Sequence, residues 1–419
     1  MNRMREVLND MANNVFRASE GFLQDLKDHY QAAQQQPLRP KRILLVEPEH
    51  EYLADSIGKG FQDEGWLVDT FKGNTRLLRF VNPFIWLVYT RENYPDLLLW
   101  MNRNTLSPEG VKLLSSLPIK KVLWFLDNPK RVQTTAEELE ATDAYFSFDP
   151  TYLPYLKDLS GKEGKTLPTG AGIEPLSECR PGQNPPPRQG PALGFMGALG
   201  AQRFQAVREF WTRKDPEFVR ILDELVDAYL AEPSLSLEER YNASPGRDRL
   251  PYSGFVVLYL EERATYLHRL RFLAPLAGQG LVTYGGVEWA HPEWAEPLCH
   301  CYSGQTPRYQ EDLPRVYYHT QININLFHAQ CVNSLNPRVY DVLAAGGFLL
   351  TEYRPALEQE FELGRHMVAF SSPDELREKA AYYLAHPDER DAIARAGQQR
   401  VLERYTYRQR VRTLCETIR

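Results

Sequence analysis

From Lys41 onward the chain repeats one texture, in which a short apolar run gives way to a stretch of helical spacing and then to another apolar run. The first series of runs is KRILLVEP, WLVDTF, FIWLVY, DLLLWM, KKVLWFL and AYFSFD, and the second is ALGFM, GLVTY, ININLF, GGFLLTEY and HMVAF. Such runs read as buried strands, and their alternation with helical stretches predicts parallel sheets joined by crossover helices, an α/β layered architecture. Residues 1–40 differ, with Val7, Met11, Val15, Phe22 and Leu26 at helical intervals before a Gln-rich end, and predict a helical appendage. Near Gly170 the first series stops, and SECRPGQNPPPRQGP follows with the composition of a linker. The expected organisation is an appendage at 1–40, a Rossmann-like domain at 41–180, a Pro-rich linker at 181–192 and a second Rossmann-like domain at 193–385. A helical insert at about 216–274 interrupts the second domain, and helices at 386–419 close the chain, with a return to the first domain in view.

Composition narrows the function classes. A chain of 419 residues with 43% hydrophobic and 25% charged residues has enough apolar matter for two cores. A net charge of −6 without a Lys/Arg block argues against a nucleic-acid surface. The N-terminus interleaves charge and lacks an apolar signal core, and no run reaches the roughly 18 apolar residues of a membrane helix. A cytoplasmic protein without a transmembrane segment is expected. Five scattered cysteines do not form a disulfide framework. Cys299-His300-Cys301 lacks the second half of a zinc motif and reads as buried thiols, so no metal is expected.

Candidate chemistry concentrates in NINLFHAQCVNSLNPRVYDVLAAGGFLLTEY, residues 323–353. A strand ends in amides and a hydroxyl at Asn325, Asn333, Ser334 and Asn336, then enters a helix carrying Arg338 and Asp341. Helix N-termini attract phosphate oxygens, Arg338 supplies a planar cationic fork, and Asp341 an acceptor for ribose hydroxyls. Arg338 and Asp341 also stand three apart, where they could pair with each other, but the polar loop before them favours a ligand. Gly346, in Ala345-Gly346-Gly347, serves either tight packing or close approach to a sugar. Gly197 and Arg203 in GFMGALGAQR are a second candidate for diphosphate contact, although the run lacks the third glycine of a dinucleotide fingerprint. Tyr284 and Gly285 end a strand where backbone groups and Val287 could hold a base, while Glu288 and Trp289 read alternatively as a surface turn. In the first series Asp127 directly follows KKVLWFL, and Asn128-Pro129 turns the chain there. That carboxylate is the candidate general base, with a turn cap as the plainer reading and Glu47 with His50 as the alternative base.

GFMGALGAQR, VTYGGVEW, QININLF, SLNPRVYDVLAAGGFLLTEYRPALEQEF, the HMVAFSSPDELREK tail and VLWFLDNP occur in the order of the CgeB-type glycosyltransferases, relatives of the group 1 glycosyltransferases. The resemblance covers the chain from about Lys41 and is densest after Tyr317. It implies the GT-B fold, two Rossmann-like domains whose parallel sheets face across a cleft, with acceptor on the first and nucleotide sugar on the second. It also implies a UDP-sugar as donor substrate, no tightly bound cofactor, no metal, and a glycan or protein acceptor at the cell surface. Arg338 and Asp341 fall on the family's donor positions, with Asp where group 1 enzymes carry the longer Glu. Two other classes stay open: a non-catalytic sugar-nucleotide or surface-binding protein, and a nicotinamide-dependent oxidoreductase, which the missing GxGxxG disfavours.

Overall fold

In the computed structural model the described residues are 40–47, 51–72, 95–102, 117–232 and 235–418, with isolated positions between 24 and 35. The helical appendage, the FIWLVY run and His50 lie outside them. The chain forms two compact units, one of residues 1–168 with 407–419 and one of residues 169–406.

The first unit is a parallel sheet of β1 (Arg42–Glu47), β2 (Leu67–Lys72), β3 (Leu97–Met101), β4 (Lys120–Phe125), β5 (Ala144–Ser147) and β6 (Lys165–Thr166) in the order β2-β1-β3-β4-β5-β6. Every residue of β3 is buried and so is β4 after Lys120, as a sheet covered on both faces demands. Helix α1 (Glu51–Asp63) turns Leu53, Ala54, Ile57 and Phe61 inward at helical spacing. Against it packs the last helix, with Tyr407, Val411 and Leu414 in the same core. Gly60 permits the contact, since a Cβ there would come within 2.9 Å of the Tyr407 backbone. Short helices α2 (Ala136–Glu140) and α3 (Leu153–Ser160) complete the unit.

In the second unit β7 (Leu193–Met196), β8 (Leu281–Tyr284), β9 (Ile322–Asn325), β10 (Leu349–Glu352) and β11 (Val368–Phe370) are parallel in the order β11-β10-β9-β7-β8. Between β7 and β8 run α4 (Ala201–Lys214), α5 (Pro216–Ala231), α6 (Leu237–Asn242) and α7 (Phe255–Leu273), the last three within the 216–274 stretch read as a helical insert. Then come α8 (Leu313–His319), α9 (Pro337–Ala344), α10 (Pro355–Glu360), α11 (Pro373–Ala385) and α12 (Pro387–Arg404). The final helix, α13 (Tyr407–Thr417), belongs to the first unit. Two Rossmann-like units, each a doubly wound parallel sheet, therefore make up the fold.

The division falls after Pro168, not within 181–192. That Pro-rich stretch is anchored inside the second unit. Arg188 stacks over Tyr318 at 4.9 Å, pairs with Asp391 at 2.9 Å and donates to Gly346 O at 2.9 Å, while Tyr318 Oη donates to Pro186 O at 2.6 Å. Proline content lowers the entropy of the free chain as much as it breaks helices, so the same composition suits a docked strap.

Candidate functional site

Each sheet reverses its winding once, between β1 and β3 in the first unit and between β7 and β9 in the second. Open parallel sheets bind ligands beyond the carboxyl ends of the strands at such points.

In the second unit that point is built around Asn325, the last residue of β9. Its side chain is fully buried and donates to Thr351 Oγ1 at 2.9 Å. So held, its Oδ1 accepts from Arg338 Nη1 at 2.8 Å and from Asn336 Nδ2 at 3.0 Å. Asn336 occupies the N-cap of α9 without capping it, and its Oδ1 is buried with no donor. The Arg338 guanidinium lies over Phe195 at 5.3 Å, and a Cβ on residue 197 would stand 2.8 Å from its Nη2, which explains a glycine there. A second guanidinium, Arg269 from α7, stacks on the same ring at 5.8 Å and donates to Ala198 O. Burial, and after it the positive charge of Arg338, lower the pKa of Arg269 to about 9 against the raising effect of Glu262 and Glu288. Two cations share one aromatic ring here, with the buried carboxylates of Glu262 and Glu288 as the acidic neighbours of Arg269.

The start of α4 is arranged otherwise than expected. Gly200 N and Gln202 N donate to Glu288 at 2.7 and 2.8 Å, so this helix end already carries a carboxylate of the chain. Glu288 is buried and Trp289 fully so, its Nε1 donating to Gly197 O at 2.8 Å; they are not a surface turn. Arg203 pairs with buried Glu262 at 3.1 Å, and His328 stands 3.6 Å from the same carboxylate. The amides of Gly200 and Gln202 at the start of α4 are thus already taken by Glu288.

The other candidates are placed as follows. Asp341 is 2% exposed and accepts from Gly172 N at 2.9 Å, Ile173 N at 3.3 Å and Tyr309 Oη at 2.7 Å. Burial pushes its pKa up to about 6 against these bonds and Arg338. Its acceptors serve the chain, so it braces the 172–173 segment where a ribose contact was expected. Gly346 has φ of 79° just beyond the C-terminus of α9, the end opposite Arg338, and a Cβ there would be 2.9 Å from Gln398 Nε2. Its role is to stop the helix and admit packing. Tyr284 is buried at the end of β8, its carbonyl accepting from Gly197 N at 3.0 Å, and a Cβ on Gly285 would fall 2.7 Å from Gly197 O. These two positions pin the β7 and β8 loops together. Asn333 is exposed and Ser334 buried in the loop before α9.

In the first unit Asp127 follows β4 and is held by Asn102 at the end of β3. Asn102 Nδ2 donates to Asp127 Oδ2 at 2.7 Å, and Asn102 Oδ1 accepts from Leu126 N and Asp127 N at 2.7 and 2.8 Å. Asn102 is 6% exposed and has φ of 64°, a conformation that non-glycine residues adopt seldom and Asn more readily than most. Glu47 ends β1, on the winding-reversal edge.

Arg269 and Asn102 escaped sequence reasoning, and Glu288 reads there only as part of a surface turn. Arg269 sits mid-helix among other charges without a local signal; Asn102, an Asn closing an apolar strand, carried one.

Residues 267–416 match the model of a family described as glycosyl transferase-like. That stretch contains both Arg269 and Arg338, together with Asn325 and Asn336. Among curated proteins none matches the chain. Similar solved structures include sucrose-phosphate synthase from Thermosynechococcus elongatus, with 12% identity, 90% of this chain and 98% of that one covered, and a TM-score of 0.47. Others are a glycosyltransferase from Rickettsia africae (11%, 91% and 98%, 0.48) and T4 phage BGT in complex with its UDP-glucose substrate (10%, 90% and 99%, 0.47). Among the described residues no group of three or more His, Cys, Asp or Glu is placed to hold a metal, and no helix is long and apolar enough to cross a membrane.

Proposed function

We propose that this chain is a glycosyltransferase of the CgeB-type branch that moves a sugar from a nucleoside-diphosphate sugar, with a UDP-sugar as donor, to a hydroxyl of a glycan or glycoprotein. The observation that carries the reading is the Arg338–Arg269 pair at the β7/β9 reversal point, inside the glycosyl transferase-like stretch. As the glycosidic bond to the diphosphate lengthens, negative charge grows on the leaving oxygen. Arg338, fixed by Asn325, meets that charge without needing to reorganise, and Arg269 adds long-range potential from a dry position. No metal step is needed for this. Asn336 Oδ1, an acceptor without a donor, suits a hydroxyl of the donor.

The second unit is then the donor unit and the first the acceptor unit. Asp127, held by two hydrogen bonds to Asn102, takes the proton of the acceptor hydroxyl in an inverting reaction. A panel of nucleotide sugars with simple glycoside acceptors, read by release of nucleoside diphosphate, tests the proposal. Turnover with one donor class supports it; binding of NAD(P) in place of every nucleotide sugar would overturn it.

A further inference from the structure

The second unit holds a cavity of about 250 Å³ beyond the carboxyl ends of β9 and β10, walled by α7, the end of α5 and the start of α11. The loop after β9 marks it off from the arginine pair: Ala329 lines the cavity and donates from its N to Thr265 Oγ1 at 2.9 Å, while the preceding His328 faces Glu262. Its one carboxylate, Glu352, is already committed. It lies 3.1 Å from His268 Nε2 and 3.2 Å from Arg354 Nη2, and it accepts from Phe327 N at 3.1 Å. These partners hold its pKa below the usual carboxylate value against the effect of burial. A cation would therefore find no unspent acceptor here, and would face two guanidiniums.

The donors are in surplus. Arg354 stacks over Phe327 at 5.5 Å with its Nε buried and without an acceptor, and Arg271 brings a further positive charge to the rim. Against the single charge of Glu352 the walls carry Arg354, Arg271 and, when protonated, His268. The volume falls below the roughly 300–1,000 Å³ typical of drug-sized ligand sites, so a nucleotide sugar is too large. Phe272, Phe327 and Leu230 give one side of the cavity an apolar lining.

We infer that this cavity is a second ligand site, separate from the arginine pair, which takes a small anion, a phosphate or carboxylate group, on Arg354 and Arg271. The inference stands independently of the transferase reading, because it uses none of the residues assigned there.

The test follows the ring signals of His268 by NMR, assigned through His268→Gln, while the full-length protein is titrated with inorganic phosphate and, separately, with acetate. The expected result is a saturable shift with at least one of the two, which also says which anion group is preferred. Arg271→Met, at an exposed position whose loss leaves the fold intact, should weaken the midpoint at least threefold, and Arg354→Met at least tenfold. Saturating UDP should leave the midpoint unchanged. No saturable shift with either anion, equal midpoints in the Arg271 variant and the parent, or competition by UDP would each overturn the inference.

Discussion

At the scale of single residues, Arg338 is oriented by the neutral amide of Asn325 and by the face of Phe195. A charge-assisted hydrogen bond contributes about 1.5–3 kcal/mol, and Arg338→Ala should therefore weaken binding of a UDP-sugar by about 10- to 150-fold in calorimetry, with an unchanged circular dichroism spectrum. Asp341 behaves as a buried structural acid. Its folded pKa, about 6, lies above the ordinary carboxyl value of 3.8, so between those limits the native state binds more protons than the unfolded one and stability falls as pH rises. That difference corresponds to about 3 kcal/mol. The stability difference between the parent and Asp341→Asn, measured by urea unfolding, should thus change through pH 4 to 6 and level off above it. Asp127→Asn should keep donor affinity and lose about a hundredfold or more in transfer rate. Asn102→Gly keeps the backbone conformation but removes all three bonds to the Asp127 turn, so transfer should fall with donor affinity intact, as steady-state kinetics would show.

Elements explain which of these residues could be read in advance. The stretch 323–353 was legible because strand, polar loop, helix and glycine stop follow one another locally, and Asn325, Asn336 and Arg338 do meet there. Asp341 sits on α9 and Gly346 just past its end, but a helix has several faces and two ends, and what covers each depends on residues far away: Gly172 and Tyr309 for one, Gln398 and Arg188 for the other. The GALG turn misled for a similar reason. Its helix end is real, yet Glu288, 88 residues along the chain from Gly200, reaches it first. Glu288→Ala should uncap α4 and cost about 0.5–2 kcal/mol in urea unfolding, with little effect on UDP-sugar affinity, because the donor's phosphates are assigned to Arg338.

For the whole molecule, alternation of apolar runs with helical spacing predicted parallel sheets, and the described residues form two. Which segments join which unit was less visible. The Pro-rich stretch packs on the second unit through Arg188, and the chain's last helix returns to the first through Tyr407, Val411 and Leu414. Each such side chain contributes about 1.5–3 kcal/mol on burial, so a chain ending at Thr406 should lose the first unit selectively, seen as early proteolysis within residues 41–168. The central claim is that the arginine pair receives the diphosphate of a nucleotide sugar. Calorimetric titration of the full-length protein with UDP and a set of UDP-sugars, run beside Arg338→Ala and Arg269→Met, tests it most directly. Saturable binding that falls at least tenfold in the first variant and measurably in the second is predicted; equal affinity in all three proteins would contradict it.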